Sequence, residues 1–166
     1  MPNTARPDYV AVHKHSALDI QGVSANLFPP TQVAVGVTAD PTKSSLSFTT
    51  LTDMDIDVTP PADWPLWEAR LQFSGQFSIA AAYDPTEVVY TRFAQDGVEI
   101  ANTRVGANPL GNGATFPTET FYVATVIIPG GVTTNFTTEW AGATVSVITA
   151  TGVARMMTVT LRPYTG

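Results

Sequence analysis

The segment LTDMDIDV, residues 51–58, decides how the rest of the chain is interpreted. Met54, Ile56 and Val58 alternate with three aspartates, so apolar side chains recur at every second position. A period of two places successive side chains on opposite faces of a β-strand. This segment therefore predicts a strand with one buried face and one acidic face.

Similar runs of β-branched and aromatic residues lie on both sides of this strand, and turn residues separate them. The further predicted strands are 32–38, 45–50, 67–73, 76–82, 88–95, 98–104, 120–128, 133–140, 144–150 and 155–162. Asp96-Gly97 predicts a two-residue hairpin, and Ser74-Gly75 predicts a turn. Because signals for long helices are almost absent, we expect an all-β fold, an antiparallel β-sandwich with jelly-roll topology, in residues 32–166.

Residues 1–31 have a different character, with early prolines and both histidines of the chain. We interpret them as an extended N-terminal arm that anchors the sandwich to a neighbour. The arm carries an apolar series that we expect to make this attachment: Tyr9, Val10, Val12, Leu18 and Ile20. Residues 1–12 contain no apolar core of a signal peptide, so we expect synthesis in the cytoplasm.

The composition excludes several partners. The chain has a formal net charge of −6 with only 8 Lys and Arg, and nucleic-acid binding needs clustered cations. Its apolar runs are far shorter than the ~20 residues that span a bilayer. Without cysteine there is no disulfide, thiolate metal ligand or cysteine nucleophile. We expect neither nucleic acid nor membrane as a partner.

Catalytic residues are not evident in the pattern. A serine triad needs a histidine near the nucleophile, but His13 and His15 both lie in the arm, and no Gly-x-Ser-x-Gly motif occurs. Glycoside hydrolysis needs two carboxylates about 5–10 Å apart, and no spacing selects a pair among four candidates. Those candidates are Glu68, Asp96, Glu99 and Glu139. We expect a protein that is not an enzyme and needs no cofactor.

Two patterns bear on metal binding. His13 and His15 share a face of an extended segment, so a three-fold axis would gather six imidazole nitrogens around a transition metal. The alternative, which we favour, is two solvated histidines. The aspartates at positions 53, 55 and 57 begin like a calcium loop, but Val58 and Trp64 stand where that loop needs Gly and Glu. We expect a solvated acidic strand face and no metal site, with a weak cation site as the alternative.

Exposed aromatic residues are candidates for sugar stacking. Trp64, in the segment PADWP, is the best of them, together with the Gly- and Pro-rich loop 106–117. Trp67 and Trp140 lie within predicted strands, so we expect them in the core or at a subunit interface. A glycan-binding head is therefore the alternative to a purely structural role.

Three segments resemble small jelly-roll proteins that are common in phage virions. SLSFTTLTDMDIDVTPPADW, residues 45–64, resembles their opening strands, and YTRFAQDGVEIANTRVG, residues 90–106, resembles their central hairpin. FYVATVIIPGGVTTNFTTEWAGATVSVI, residues 121–148, with RMMTVTLRPYTG, residues 155–166, resembles their closing strands. The topology is also similar to the jelly rolls of tumour necrosis factor and complement heads.

The resemblance covers about residues 44–166 and implies a virion structural protein without catalytic residues. It implies a capsid decoration protein, a head or tail fibre knob, or a spike, on the particle exterior and made in the host cytoplasm. The expected partners are other virion proteins and two further copies of the chain in a homo-trimer. If the protein is instead a glycan-binding head, its ligand is a host surface glycan.

Overall fold

A computed structural model describes residues 31–37, 40–79, 86–108, 118–142, 147–150 and 155–166. Within these ranges the chain forms strands and no α-helix. The described residues therefore contain no helix that could cross a membrane. The strands are β1 (Thr31–Val35), β2 (Thr42–Lys43), β3 (Thr49–Val58), β4 (Leu66–Ile79), β5 (Val89–Gln95), β6 (Val98–Glu99), β7 (Val105–Ala107), β8 (Thr118–Pro129), β9 (Thr134–Gly142), β10 (Ile148–Ala150) and β11 (Met156–Pro163).

The strands form two antiparallel sheets. In the first sheet β4 is central: β8 pairs with one side of it, and β11 and β10 pair with the other. β1 lies beyond β11, and β2 lies beyond β10. In the second sheet β9 lies between β3 and β5, and both β6 and β7 pair with β5.

The pairing order is that of a jelly roll. β1 pairs with β11, β3 with β9, β4 with β8, and β5 with β7, so early strands pair with late strands in reverse order. A long antiparallel ribbon that folds over into two sheets produces this nesting. The predicted fold class, an all-β sandwich with jelly-roll topology, is confirmed.

The core lies between the two sheets and follows the period of two. Along β4 the odd-numbered side chains point inward, and Leu71, Phe73 and Phe77 are fully buried there. Phe93 and Phe136 meet them from the second sheet. Each such side chain contributes about 1.5–3 kcal/mol through burial, so these rows hold the two layers together.

The predicted Asp96-Gly97 hairpin is confirmed. Gln95 pairs with Val98, and the two turn residues have φ of 50° and 77°, as a type I′ turn requires. The strand predicted over 98–104 is wrong, because β6 ends at Glu99 and β7 begins at Val105. The Thr103 hydroxyl accepts a hydrogen bond from the Phe93 amide (3.1 Å) and thereby replaces the strand ladder.

The turn predicted at Ser74-Gly75 is wrong, since β4 runs without interruption from Leu66 to Ile79. Gly75 serves packing instead. A Cβ atom at this position would lie 2.5 Å from the Cζ atom of Phe73, so only glycine leaves room for that ring.

The strand predicted over 45–50 is also wrong over most of its length, because only Thr49 and Thr50 are extended and they begin β3. The Ser45 hydroxyl accepts a hydrogen bond from the Ser47 amide at 3.1 Å. Such a local side-chain bond bends the backbone out of strand geometry.

The acidic face of β3 is only partly as predicted. Asp55 and Asp57 are exposed, and both accept hydrogen bonds from the Asn135 side chain. A bulge between Thr50 and Asp55 displaces Asp53, which has a φ of 66°. Asp53 consequently forms an ion pair with Arg155 and does not join the solvated row.

Candidate functional site

All of the residues predicted to attach the chain to its neighbours fall outside the part of the chain that the structure describes. These are Tyr9, Val10, Val12, Leu18 and Ile20, together with the two histidines of the metal alternative, His13 and His15. Within the described ranges, no cluster of three or more His, Asp or Glu side chains is arranged to hold a metal ion.

Trp64 lies in a loop that connects β3 to β4, and this loop is tied down on several sides. The Gly130 amide donates to the Pro65 carbonyl (3.0 Å), and the Gly131 amide donates to the Pro60 carbonyl (2.8 Å). The Trp67 indole also donates to the Pro61 carbonyl at 3.0 Å. We call residues 59–65 the Trp64 loop. Its backbone is fixed before any ligand arrives.

The Trp64 side chain is nevertheless 40% exposed. Its indole Nε1 donates a hydrogen bond to the Tyr164 carbonyl at 3.0 Å, which fixes the ring against the C-terminal segment. Trp67 and Trp140 are buried in the core, which is one of the two environments predicted for them, the other being a subunit interface.

The structure does not bring Trp64 and the described part of the 106–117 loop together. The Trp64 loop lies where β9 begins, at Thr134, whereas Gly106 pairs with Tyr90, which in turn faces Ala141 near the end of β9. Seven residues of a strand span about 23 Å. Residues 106–108 therefore lie at the opposite end of the sandwich from Trp64, and the rest of the predicted loop, 109–117, lies outside the described residues.

A groove of about 380 Å³ opens along the C-terminal segment, and Trp64 reaches it through its hydrogen bond to Tyr164, although Trp64 does not line it. Its lining comprises Glu68, Arg162, Pro163, Tyr164, Thr165 and Gly166. Glu68 and Arg162 face each other across β4 and β11, with 2.6 Å between the Arg162 Nη2 and a Glu68 carboxylate oxygen. The hydrogen bond to Glu68 raises the pKa of Arg162 above its usual value, so this guanidinium is always charged.

Apart from the Glu68–Arg162 pair, the outward side of the first sheet presents few charges over four neighbouring strands. We call it the open face and define it by its side chains: Thr31, Val33 and Val35 on β1, Met156, Thr158 and Thr160 on β11, Arg70, Gln72 and Ser74 on β4, and Val123, Thr125 and Ile127 on β8. Only Arg70 among these is charged. The valines, Met156 and Ile127 are exposed to solvent.

The outward side of the second sheet is different, because its side chains form ion pairs and cation–π contacts with one another. Arg92 forms ion pairs with Glu139 (2.6 Å from Nε) and with Glu99. The Arg92 guanidinium also lies 4.0 Å from the centre of the Phe48 ring, and Arg104 lies 4.3 Å from that of Tyr90. The charges of this face are thus paired with groups on the same face, through ion pairs and cation–π contacts.

The four carboxylates considered for hydrolysis all have structural partners. Glu99 and Glu139 bind Arg92, and Glu68 binds Arg162. Asp96 accepts a hydrogen bond from the Asn135 amide at 2.9 Å. Their arrangement is accounted for by the packing of strands and turns.

Sequence reasoning missed both Tyr164 and the open face. Tyr164 lies 100 residues from Trp64, so no local pattern links them. The open face did leave a signal, the run of Thr, Val, Gln and Ser at outward positions of four strands, but that signal becomes visible only once the strand order is known.

No protein-family model matches the chain, and no curated protein sequence matches it. Its structure is similar to dimeric latent PorU from Porphyromonas gingivalis, with a TM-score of 0.47 and 8% identity, over 82% of this chain and 13% of that chain. The chain thus spans a small part of the length of PorU.

Two structures from viruses are also similar. The native virion of Kashmir bee virus at acidic pH has a TM-score of 0.31 and 8% identity, over 94% of this chain and 84% of that chain. The enzymatically active domain of tailspike protein 4 from bacteriophage CBA120 has a TM-score of 0.27 and 12% identity, over 75% of this chain and 19% of that chain. At these identities and TM-scores, the likenesses assign no function.

Proposed function

We propose that this chain is a non-enzymatic structural protein of a virus particle, which decorates the capsid or forms the head of a fibre or spike. The open face is the observation that carries the proposal. The resemblance of residues 44–166 to small jelly-roll proteins of phage virions supports it. The expected location is the particle exterior, after synthesis in the host cytoplasm, and the partners are other virion proteins.

The open face is suited to burial against protein. Valine side chains gain from being covered, and threonine and glutamine can be covered where they form hydrogen bonds, whereas buried charges are costly unless they are paired. A row formed by Val33, Thr158, Gln72 and Val123 crosses all four strands. A second copy with the same composition can cover such a row without leaving an unpaired charge.

The size of the open face argues for more than one contact per subunit. Four strands about 4.8 Å apart and about six residues long cover roughly 400 Å², against about 800 Å² per partner in a stable interface. We propose that a homo-trimer and the arm, residues 1–31, supply the rest. The arm enters the sandwich at β1, which pairs with β11 and has its other edge available to a further strand among the described residues.

Sedimentation of variants with a charged open face tests this proposal. We expect the wild-type protein to sediment as a trimer or a larger species, and the double variant Val33→Lys/Val123→Lys to sediment as a monomer, because like charges would face each other. Val98→Lys is the matched control, since Val98 is an exposed valine in the second sheet. A monomeric wild type, or a double variant that sediments like the wild type, contradicts the proposal.

Deletion of residues 1–20 tests the arm. This variant removes the apolar series from Tyr9 to Ile20 and should abolish attachment to purified particles while the circular dichroism spectrum of the sandwich is retained. Substitution of Val10 and Val12 by serine provides a milder second variant. If both variants attach normally, the arm has no role in attachment.

We propose carbohydrate recognition as a second candidate function, the host-glycan-binding head of a fibre. The specific observation is Trp64, an indole held on a fixed loop with 40% of its surface exposed. A glycan array with the wild type and Trp64→Ala tests it. We expect binding that the variant loses, and no bound saccharide on the array would remove this candidate.

A further inference from the structure

We infer that the groove beside Trp64 binds an acidic saccharide, with its sugar ring on the exposed aromatic residues and its carboxylate on Arg162. The inference rests on the second candidate function, carbohydrate recognition, and adds the site and the chemical class of the ligand. Every group that it uses lies in the described part of the chain.

Two aromatic side chains at this end of the sandwich are available for stacking. Trp64 is 40% exposed and Tyr164 is 39% exposed, although each is tied by a hydrogen bond. The Trp64 indole donates to the Tyr164 carbonyl, and the Tyr164 amide donates to the Leu66 carbonyl at 3.0 Å. The Trp64 ring and the Tyr164 backbone are therefore held in place before binding, which lowers the entropy cost of recognition.

Arg162 supplies the charge. Its side chain is 62% exposed, and within the described structure its recorded bonds to Glu68 all use Nη2. A guanidinium has five N–H donors, so the Nε–H and the two N–H groups of Nη1 remain, and Nη1 can donate to the carboxylate of a ligand. Glu68, which is 16% exposed, positions the guanidinium from the other side.

The combination favours a sugar acid over other anions. Sugar rings present C–H groups to aromatic faces and hydroxyls around their rim, and the Glu68 carboxylate and the Tyr164 hydroxyl can bond such hydroxyls. The groove of about 380 Å³ lies within the usual range for small-ligand sites. A phosphate or a sulfate would use Arg162 but would leave both aromatic surfaces bare.

A matched pair of ligands tests the inference: an oligosaccharide of uronic acids and its carboxyl-reduced counterpart, which keeps the sugar rings but lacks the charge. Isothermal titration calorimetry gives both affinities for the full chain. We expect the acidic oligosaccharide to bind at least about tenfold more tightly, since one hydrogen bond between charged groups has that magnitude. Raising the salt concentration should reduce this difference.

Variants separate the contributions of the groups. Arg162→Gln should lower the affinity for the acidic oligosaccharide about tenfold and leave that for the reduced one unchanged, whereas Trp64→Ala should weaken both. Arg70→Gln is the matched control, an exposed arginine on the same face that does not line the groove, and should change neither affinity. Because Arg162 is largely exposed, its substitution should not unfold the protein.

The outcomes distinguish the inference from the function on which it rests. If neither oligosaccharide binds and a glycan array shows no saccharide ligand, carbohydrate recognition fails and the inference fails with it. If saccharides bind equally well with and without the carboxylates, or if Arg162→Gln has no effect, recognition stands and the acidic class is wrong. Equal losses in Arg162→Gln and Arg70→Gln would also refute the site, because a general charge effect would then explain the binding.

Discussion

The buried ion pair between Arg155 and Asp53 makes a sharp prediction about stability. The Arg155 side chain has no exposed surface, while that of Asp53 is 22% exposed, and 3.3 Å separates Nη2 from Oδ2. Arg155 also donates to the Ala150 carbonyl at 3.1 Å, and Asp53 accepts from the Val37 amide at 3.1 Å. The pair thus links the bulge of β3 to the segments that flank β1 and β11.

Its magnitude follows from the geometry. At 3.3 Å the attraction is about 5 kcal/mol with an effective dielectric constant of about 20. Asp53→Ala removes this attraction and leaves a fully buried guanidinium, a change that costs about 4 kcal/mol. Asp53→Asn keeps an oxygen acceptor and tolerates the φ of 66°, so it should cost about 2 kcal/mol. Arg155→Met should also cost about 2 kcal/mol, because the remaining carboxylate is partly solvated.

Urea unfolding with linear extrapolation measures these free energies. For Asp53→Ala we expect the melting temperature to fall by about 8–16 °C in a chain of this size. The double variant Asp53→Ala/Arg155→Met should be more stable than the sum of the single changes predicts, by at least about 1.5 kcal/mol. A loss below about 1 kcal/mol in Asp53→Ala, or additive single changes, would refute the reasoning, since the buried charge would then have little need of its partner.

Three further predictions concern packing and titration. Gly130→Ala should lower the free energy of unfolding by about 3 kcal/mol, because its Cβ would lie 2.0 Å from the Trp64 carbonyl oxygen. Gly97→Ala has open space around it and should lower this free energy by about 1 kcal/mol, from its positive φ alone. Urea unfolding measures both changes. Phe136→Ala should cost about 3–5 kcal/mol in the same assay through the cavity that it leaves between the sheets, and a loss below about 1 kcal/mol would contradict its assignment to the core. Burial lowers the pKa of Lys43 below 10.5, so the unfolded chain binds this proton more tightly than the folded protein does. The wild type should therefore gain stability relative to Lys43→Gln as the pH rises toward 10.5. Urea unfolding at about pH 7 and about pH 10 measures this gain.

Local patterns were sufficient where neighbouring residues determine the structure. The alternation in residues 51–58 predicted the buried row of β3, and Asp96-Gly97 predicted a hairpin whose register is confirmed. In both cases the deciding interactions lie within a few residues: the pleat sets which side chains share a face, and the turn requires a positive φ.

Local patterns failed where the deciding contact is distant in the sequence. Gly75 looked like a turn residue but makes room for the Phe73 ring inside a continuous strand. Asp53 looked like part of a solvated row, but its partner Arg155 lies 102 residues away. The groove likewise needs Tyr164 beside Trp64, a contact that only the strand order creates. Glycine and aspartate each serve several roles, and packing selects among them.

The two sheets differ in how they satisfy their outward faces, and this difference bears on both proposals. The second sheet holds its charges in ion pairs and in contacts with Phe48, so a partner there would have to displace existing bonds. In the described structure the row from Val33 to Val123 has no ion pair, only a hydrogen bond from Thr158 to Gln72 (3.3 Å), so covering it breaks fewer interactions. The Glu68–Arg162 pair lies about 13 Å from that row, four residues along β4 from Gln72. Subunits that associate through the row would therefore leave the groove at the rim of the interface, where a saccharide can still reach it. The double variant Val33→Lys/Val123→Lys should therefore lose assembly yet retain the affinity of each single groove.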